Sequence, residues 1–293
     1  MTTDNVSWTV LTGSTGGIGQ EIANILAARG NNLILVNRSK PKADIQSAEL
    51  QAAFPACHVE LVTANFMDRQ DIAAAIEYIC ALPGRIEALH NNAGVLTSEY
   101  LTSEEGFESH FAVNTLAPYQ LTLGLREKMV GAATEQPAMV VNFSSSAIHQ
   151  QKSLDLDALA KPEEVTGLMG TYAQSKLAVT GVSVALASEL RPHNILIRAI
   201  DPGATKTDMT TANAGMPKFL QWLAPIFFSP ADKQAGKLVE GADPAAFAAK
   251  SGILVANVKE KKLPMAIDDA SVQRDLIALL DRCLDAGNDT VNG

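Results

Sequence analysis

The chain alternates short apolar runs with longer segments whose apolar positions recur at helical spacing. The runs are VSWTVL (6–11), LILV (33–36), HVELVT (58–63), IEALH (86–90), MVVNF (139–143), ILIRAI (195–200) and GILVA (252–256). Between them lie amphipathic or Ala/Glu-rich stretches such as 17–29, 42–53 and 68–81, and a last helical stretch covers 269–286. Strands separated by helices in this way specify βαβ units and a parallel sheet. The runs are almost continuously apolar, as strands covered on both faces should be. The pattern predicts an α/β fold: one doubly wound, mostly parallel seven-stranded sheet with helices on both faces. No Pro/Ser/Gly-rich linker, internal repeat or low-complexity tract divides the chain, so 1–293 reads as one domain.

The motifs with chemical potential follow these strands, at the carboxyl edge where open parallel sheets bind ligands. TGSTGGIG (12–19) lies between the first strand and the first helix. Gly13 suits a tight turn at positive φ. Gly17 and Gly19 permit close backbone approach to a pyrophosphate and close helix packing, with Ser14, Thr15 and Ile18 completing the loop. The helix start offers unpaired N–H groups and partial positive charge to phosphate. This is the expected layout of a Rossmann domain. The loop reads as GxxxGxG (13, 17, 19) and, through Gly16, as GxxGxxG (13, 16, 19), so its spacing leaves the subfamily open.

The second strand ends in LILVNRSK (33–40). Asn37 occupies the position where an acidic residue would bind the adenine-ribose hydroxyls of NAD, and Arg38 follows it. An amide tolerates a 2′-phosphate and a guanidinium attracts it. Ser39 and Lys40 add to the same side. NADP(H) is therefore expected over NAD(H), the alternative being a solvated basic turn.

YAQSK (172–176) opens a predicted helix, and its spacing sets Tyr172 and Lys176 on one face, one turn apart. A free phenol titrates too high to exchange protons well at neutral pH, and a neighbouring ammonium lowers that value. Ser145, within NFSSS (142–146), ends a buried-type strand where its hydroxyl can bind a carbonyl oxygen; a turn or cap serine is the plainer alternative.

Together these residues resemble the short-chain dehydrogenase/reductase family. The likeness rests on TGSTGGIG, NNAG (91–94), the Asn in FAVNTLAPYQLT (111–122), VVNFSS (140–145), YAQSK and DPGATKT (201–207), in the family's order. The retinol-dehydrogenase-like branch is the nearest likeness. It is carried by the NRS stretch, the long interval between NFSS and YAQSK and, more loosely, the tail from 229–242 to 254–264. The resemblance implies a cofactor-binding half at about 1–145 and a catalytic half at about 145–293. It implies Tyr172 as general acid/base, Lys176 as the residue that lowers its pKa and holds the nicotinamide ribose, and Ser145 as the group orienting the carbonyl. Asn114 would hold a water linking Lys176 to solvent. Asn92, Ala93 and Gly94 would line the cofactor, and Pro202, Gly203, Thr205 and Thr207 would cup its nicotinamide end.

Three positions depart from the family pattern. Asn65-Phe66 stands where Asp and an apolar residue usually flank the adenine, and an amide oxygen can still accept there. Asp201 replaces the usual Asn or His before Pro-Gly, without an evident reason in the sequence. Pro118 lies four residues after Asn114, lacks an N–H for the Asn114 carbonyl, and predicts a local kink.

The implied reaction is hydride transfer between a nicotinamide and a ketone, aldehyde or secondary alcohol with an apolar body. A non-catalytic NADP(H) sensor is the alternative from another class, and an extended-branch epimerase or dehydratase is a third. The interval 149–170 flanks the expected substrate entrance. The stretch 209–228, with Phe219, Trp222, Phe227 and Phe228, reads as a lid, as core packing or, more weakly, as an interfacial membrane contact.

Composition narrows the partners. With 23 Lys+Arg against 32 Asp+Glu the formal charge is −9, which argues against nucleic acid. Cys57, Cys80 and Cys283 have no ligand spacing, nor do the histidines at 58, 90, 110, 149 and 193, so no metal site is expected. His149 could line the pocket, although a surface role fits it as well. No apolar run suits a membrane span, and MTTDNVSWTVLTG has no leader-like form, so a cytoplasmic enzyme is expected. The family likeness leaves room for a homodimer or homotetramer.

Overall fold

The computed structural model describes residues 6–131, 135–203 and 230–286. Its centre is one sheet in the order β3-β2-β1-β4-β5-β6-β7-β8. The strands are β1 (Ser7–Thr12), β2 (Asn32–Asn37), β3 (Val59–Thr63), β4 (Arg85–Asn91), β5 (Ala138–Phe143), β6 (Ile195–Asp201), β7 (Ile253–Ala256) and β8 (Lys259–Lys261). The first seven are the seven apolar runs of the sequence, and all pair in parallel. The sheet has one strand more than expected. β8 pairs antiparallel with β7 and carries only exposed Lys-Glu-Lys, so no apolar signal marks it. Charged residues of this kind protect a sheet edge from pairing with other chains.

Alternate strand residues feed two cores. Val10, Ile34, Val36 and Val140 face one layer, which holds α3 (Arg69–Ala81), α5 (Ala117–Met129), α6 (Thr171–Ala185) and the helix Ala270–Asp285. Leu11, Leu33, Leu35 and Val141 face the other, which holds α1 (Gly17–Ala28), α2 (Lys40–Ala53) and the helix Ala231–Ala242. Every residue of β5 and β6 is buried, as a doubly covered parallel sheet requires. β1 and β4 are neighbours while β2 and β3 lie on the far side of β1. The strand order therefore reverses between β1 and β4, which opens a crevice at their carboxyl ends.

Two local departures from regular geometry flank the sheet. The short helix α4 (Ser109–Phe111) runs into a π turn over Ala112–Leu116, and α5 follows with Pro118 in its first turn. The Ala117 N–H reaches back to the Ala112 carbonyl, one residue further than in an α-helix. The expected disturbance at Asn114 is thus a π turn, accommodating a proline that cannot donate to the Asn114 carbonyl. At the far edge, the buried Arg198 of β6 donates to the carbonyls of Gly241, Asp243, Pro244, Ala246 and Lys250. One cation thereby satisfies a loop in which Phe247 and Ala248 hold positive φ. Among the described residues no helix is long and apolar enough to cross a membrane.

Candidate active site

A cleft of about 820 Å³ opens at the carboxyl ends of the strands, over the crevice between β1 and β4. The glycine loop forms one wall. Gly13 sits at φ +66°, and a Cβ there would lie 2.9 Å from the Ala93 Cα. A Cβ on Gly19 would lie 2.2 Å from the Gly13 carbonyl oxygen, so only glycine fits. Thr15, Gly17, Ile18 and Gly19 line the cleft. The N-cap of α1 is Gly16, with no side-chain cap and no acidic residue in the first turn. The leading N–H groups of α1 therefore remain available to an anion. A backbone cradle without side chains, at an uncapped helix start, fits the diphosphate of a dinucleotide.

Ser14 does not face the cleft as expected. Its N–H donates to Asn37 Oδ1 at 2.8 Å, its Oγ accepts from Asn37 Nδ2 at 2.8 Å, and it donates to Gln46 Oε1 at 2.7 Å. This buried clamp engages both ends of the Asn37 amide. Asn37 borders the cleft but acts as a brace between β2 and the glycine loop. The basic side is formed by Arg38 and Lys42, which line the cleft with Ser39. Lys40, expected there, instead pairs with Asp44 at 2.8 Å on the exposed face of α2. Asn65 and Phe66 border the same end. Asn65 Oδ1 accepts from the Met67 N–H at 3.2 Å, so one of its lone pairs is already engaged.

The NNAG turn is tied to the glycine loop. Asn92 Nδ2 donates to the Thr12 and Gly13 carbonyls, both at 2.9 Å, and the Ala93 N–H donates to Thr12 Oγ1 at 2.9 Å. Asn91 donates to Asn142 Oδ1 at 2.8 Å, and Asn142 donates to Ser183 Oγ at 3.0 Å, which joins β4, β5 and α6. Asn114 does not line the cleft. Its Oδ1 accepts from the Val95 N–H at 2.8 Å, and its Nδ2 donates to the Val95 carbonyl and to Ser175 Oγ, each at 3.0 Å. A Cβ on Gly94 would lie 3.0 Å from Asn114 Oδ1 and 3.4 Å from Lys176 Nζ, so these three residues meet at one point.

Ser145, Tyr172 and Lys176 converge on the cleft, with Pro202 and Gly203 beside them. Ser145 caps a 3₁₀ turn over Ser146–Gln150, its Oγ accepting from the Ala147 N–H at 3.3 Å. The cap alternative is therefore realised in a side chain that also borders the cleft. Burial pushes the Tyr172 phenol up to about 12; a hydrogen bond with Ser145 opposes the rise and the Asp201 charge adds to it. Lys176 Nζ donates to the Phe143 carbonyl at 2.8 Å, and burial brings its ammonium down to about 8. The expected lowering of the phenol by Lys176 is not seen in this arrangement: burial dominates the shift and Lys176 is not among the groups that move it.

Asp201 now has a physical account. Its Oδ1 accepts from the Gly203 N–H at 2.8 Å, which folds Asp-Pro-Gly into an Asx turn at the lip of the cleft. His149 is exposed on the 3₁₀ turn, where its interaction with Asp201 opposes the rise that burial gives that carboxyl. Gln150 and Met169, at the two ends of the interval before Tyr172, line the cleft with Val95 and Leu96. Lys42 and Leu96 went unassigned in the sequence; only Lys42 carried a signal, its position in the first turn of a helix that begins at the cleft. Thr205, Thr207 and the stretch 209–228 lie outside the described residues. Among the described residues no cluster of three metal-ligating side chains occurs.

The pattern of the short chain dehydrogenase family matches residues 7–156 and 160–217. Human (Homo sapiens) retinol dehydrogenase 13 is 30% identical over 221 residues, which are 75% of this chain and 66% of that protein. Bovine (Bos taurus) retinol dehydrogenase 12 is 32% identical over 221 residues, 75% of this chain and 67% of that protein. The chain thus spans about two thirds of the length of these curated relatives. In fold it matches a short-chain dehydrogenase from Sphingobium yanoikuyae, solved in complex with NADPH. The TM-score is 0.66 at 24% identity, covering 96% of this chain and 95% of that one. With the motifs in order along one sheet and both comparisons in agreement, the chain belongs to the short-chain dehydrogenase family, in its retinol-dehydrogenase-like branch.

Proposed function

We propose that the chain is an NADP(H)-dependent oxidoreductase that interconverts a ketone or aldehyde and the corresponding alcohol. Its catalytic set is Asn114, Ser145, Tyr172 and Lys176. The observation that carries this reading is the convergence of Ser145, Tyr172 and Lys176 on the same cleft as the uncapped start of α1.

The nicotinamide, when bound, exchanges a hydride with the carbonyl carbon. This chain's residues handle the oxygen. Ser145 and Tyr172 donate hydrogen bonds to it as negative charge develops, the usual electrostatic role of such donors. A phenol raised to about 12 stays protonated at neutral pH, so in the reducing direction Tyr172 gives up its proton only as the alkoxide forms. Lys176 would hold the ribose hydroxyls, and Asn114 keeps Val95 and the Gly94 corner in place beside it. Arg38 and Lys42 would bind the 2′-phosphate, as two cations at the adenine end favour NADP(H) over NAD(H). Leu96, Met169 and Phe143 make the substrate side apolar. The net charge of −9 fits a small-molecule substrate rather than nucleic acid, in the cytoplasm.

An absorbance assay of NADPH consumption over aldehydes, ketones and quinones tests this. Turnover of at least one apolar carbonyl compound is expected. A protein that binds NADPH and consumes none across the panel would instead be a dinucleotide sensor.

A further inference from the structure

We propose that His110 is a positioning residue for the Tyr172 phenol, acting through a tether to the cleft wall at Val95–Thr97. The inference rests on the reading of Tyr172 as the proton donor.

Glu108, Ser109 and His110 are all buried beneath the cleft. The Glu108 carboxylate caps α4, accepting from the His110 N–H at 2.9 Å, the Phe111 N–H at 3.4 Å and Ser109 Oγ at 2.8 Å. Burial pushes this carboxyl up, but contacts with the His110 ring and backbone and with Ser109 outweigh it, and the net shift is downward. The carboxylate thus stays charged and fixes the ring beside it. His110 Nδ1 lies 2.9 Å from Glu108 Oε1, a close contact between ring and carboxylate.

The other ring nitrogen decides the matter. The Thr97 N–H donates to His110 Nε2 at 3.1 Å. A backbone N–H can only donate, so Nε2 carries the lone pair and the proton sits on Nδ1, towards Glu108. The wall is therefore pinned twice, at Val95 by Asn114 and at Thr97 by His110. Leu96, between the two pins, packs against Tyr172, Ala147 and Ala173. The His110 ring itself meets the Tyr172 ring edge-on, 6.0 Å between centroids at 80°. The phenol ring is thus held by Leu96 and by the residue that anchors Leu96. A hydrocarbon at position 110 could fill the space, but would leave Thr97 without its acceptor and Leu96 without its second pin.

The test compares His110→Gln, whose amide oxygen can accept from Thr97, with His110→Leu, which fills the volume and accepts nothing. Three quantities are read on the full chain: kcat on the best carbonyl compound of the panel, Kd for NADPH by fluorescence, and amide exchange at 94–98. For the Leu variant we expect kcat to fall about tenfold or more, with faster exchange at Thr97 and Kd within about threefold of wild type; the Gln variant should stay near wild type in all three. The proposal is overturned if the Leu variant keeps its kcat, or if the Gln variant falls as far. If the Leu variant does not fold, His110→Asn, too short to reach Thr97, takes its place. A wild-type chain without turnover counts against the oxidoreductase reading instead. Exchange then decides alone, unchanged protection at Thr97 overturning the tether and lost protection upholding it.

Discussion

Lys176 Nζ donates to the main-chain carbonyl of Phe143 at 2.8 Å, so an ammonium on α6 is held against the end of β5, two residues before Ser145. Burial brings this lysine down to about 8, within reach of ordinary assay conditions. A lysine lowered in this way is charged below that value and neutral above it. If the ammonium is the working form, kcat/KM for carbonyl reduction holds steady below pH 8 and declines above it. Lys176→Arg, always charged, should move that decline to higher pH in whatever activity remains. A wild-type profile flat from pH 6 to 10 would remove the ammonium from the mechanism.

Tyr172→Phe deletes the hydroxyl and keeps the ring. Turnover is expected to fall by about 10²–10⁴-fold, the usual weight of acid/base catalysis. NADPH affinity should change little, since the ring still packs against Leu96 and Ala147. Undiminished turnover would show that another group moves the proton.

Arg38→Leu should weaken NADPH binding by about 1.5–3 kcal/mol, the worth of a hydrogen bond to a charged group, and leave NADH binding nearly unaltered. Lys42→Leu should act in the same direction. Competition titrations with both dinucleotides measure the difference. Equal losses for the two would place Arg38 away from the 2′-phosphate.

The chain should also lose stability in acid through His90. This ring is buried in β4, beside a small cavity of about 240 Å³, and burial lowers it from 6.5 to about 4. Between those values the unfolded chain takes up a proton that the folded chain refuses. The stabilisation is therefore full above pH 6.5 and is lost as pH falls towards 4, by about 3 kcal/mol from this group. Denaturant midpoints at pH 7 and pH 4.5 should lie closer together in His90→Leu than in the wild type. An unchanged gap would assign the acid sensitivity to other groups.

Much of this was legible along the chain because it rests on local rules. Seven strands announced themselves as apolar runs, Tyr172 and Lys176 by one turn of helix, and Gly13 and Gly19 by the residues that turns and close approaches demand. Pro118 even foretold a disturbance at Asn114. What stayed hidden depends on partners distant in sequence. Asn37 reads in the sequence as the residue standing where an acid would bind the ribose, and its bracing of Ser14 shows only in the fold. Lys40 and Lys42 differ only in which way the first turn of α2 points them. His110 is indistinguishable in sequence from the exposed His149, because its acceptor role exists only once Thr97 is folded over it. β8 has no hydrophobic signature at all.

The π turn at Ala112–Leu116 has a consequence for how this chain tolerates change. It holds one residue more than the helices on either side require. Deleting a single amino acid there would remove that extra residue and rotate all that precedes it by about 100° relative to α5. Asn114 would lose Val95 and His110 would lose Thr97, while hardly any apolar bulk left the interior. Point substitutions preserve the length of this segment and a frame-keeping deletion does not, so loss of one codon here would produce a soluble-looking but silent protein.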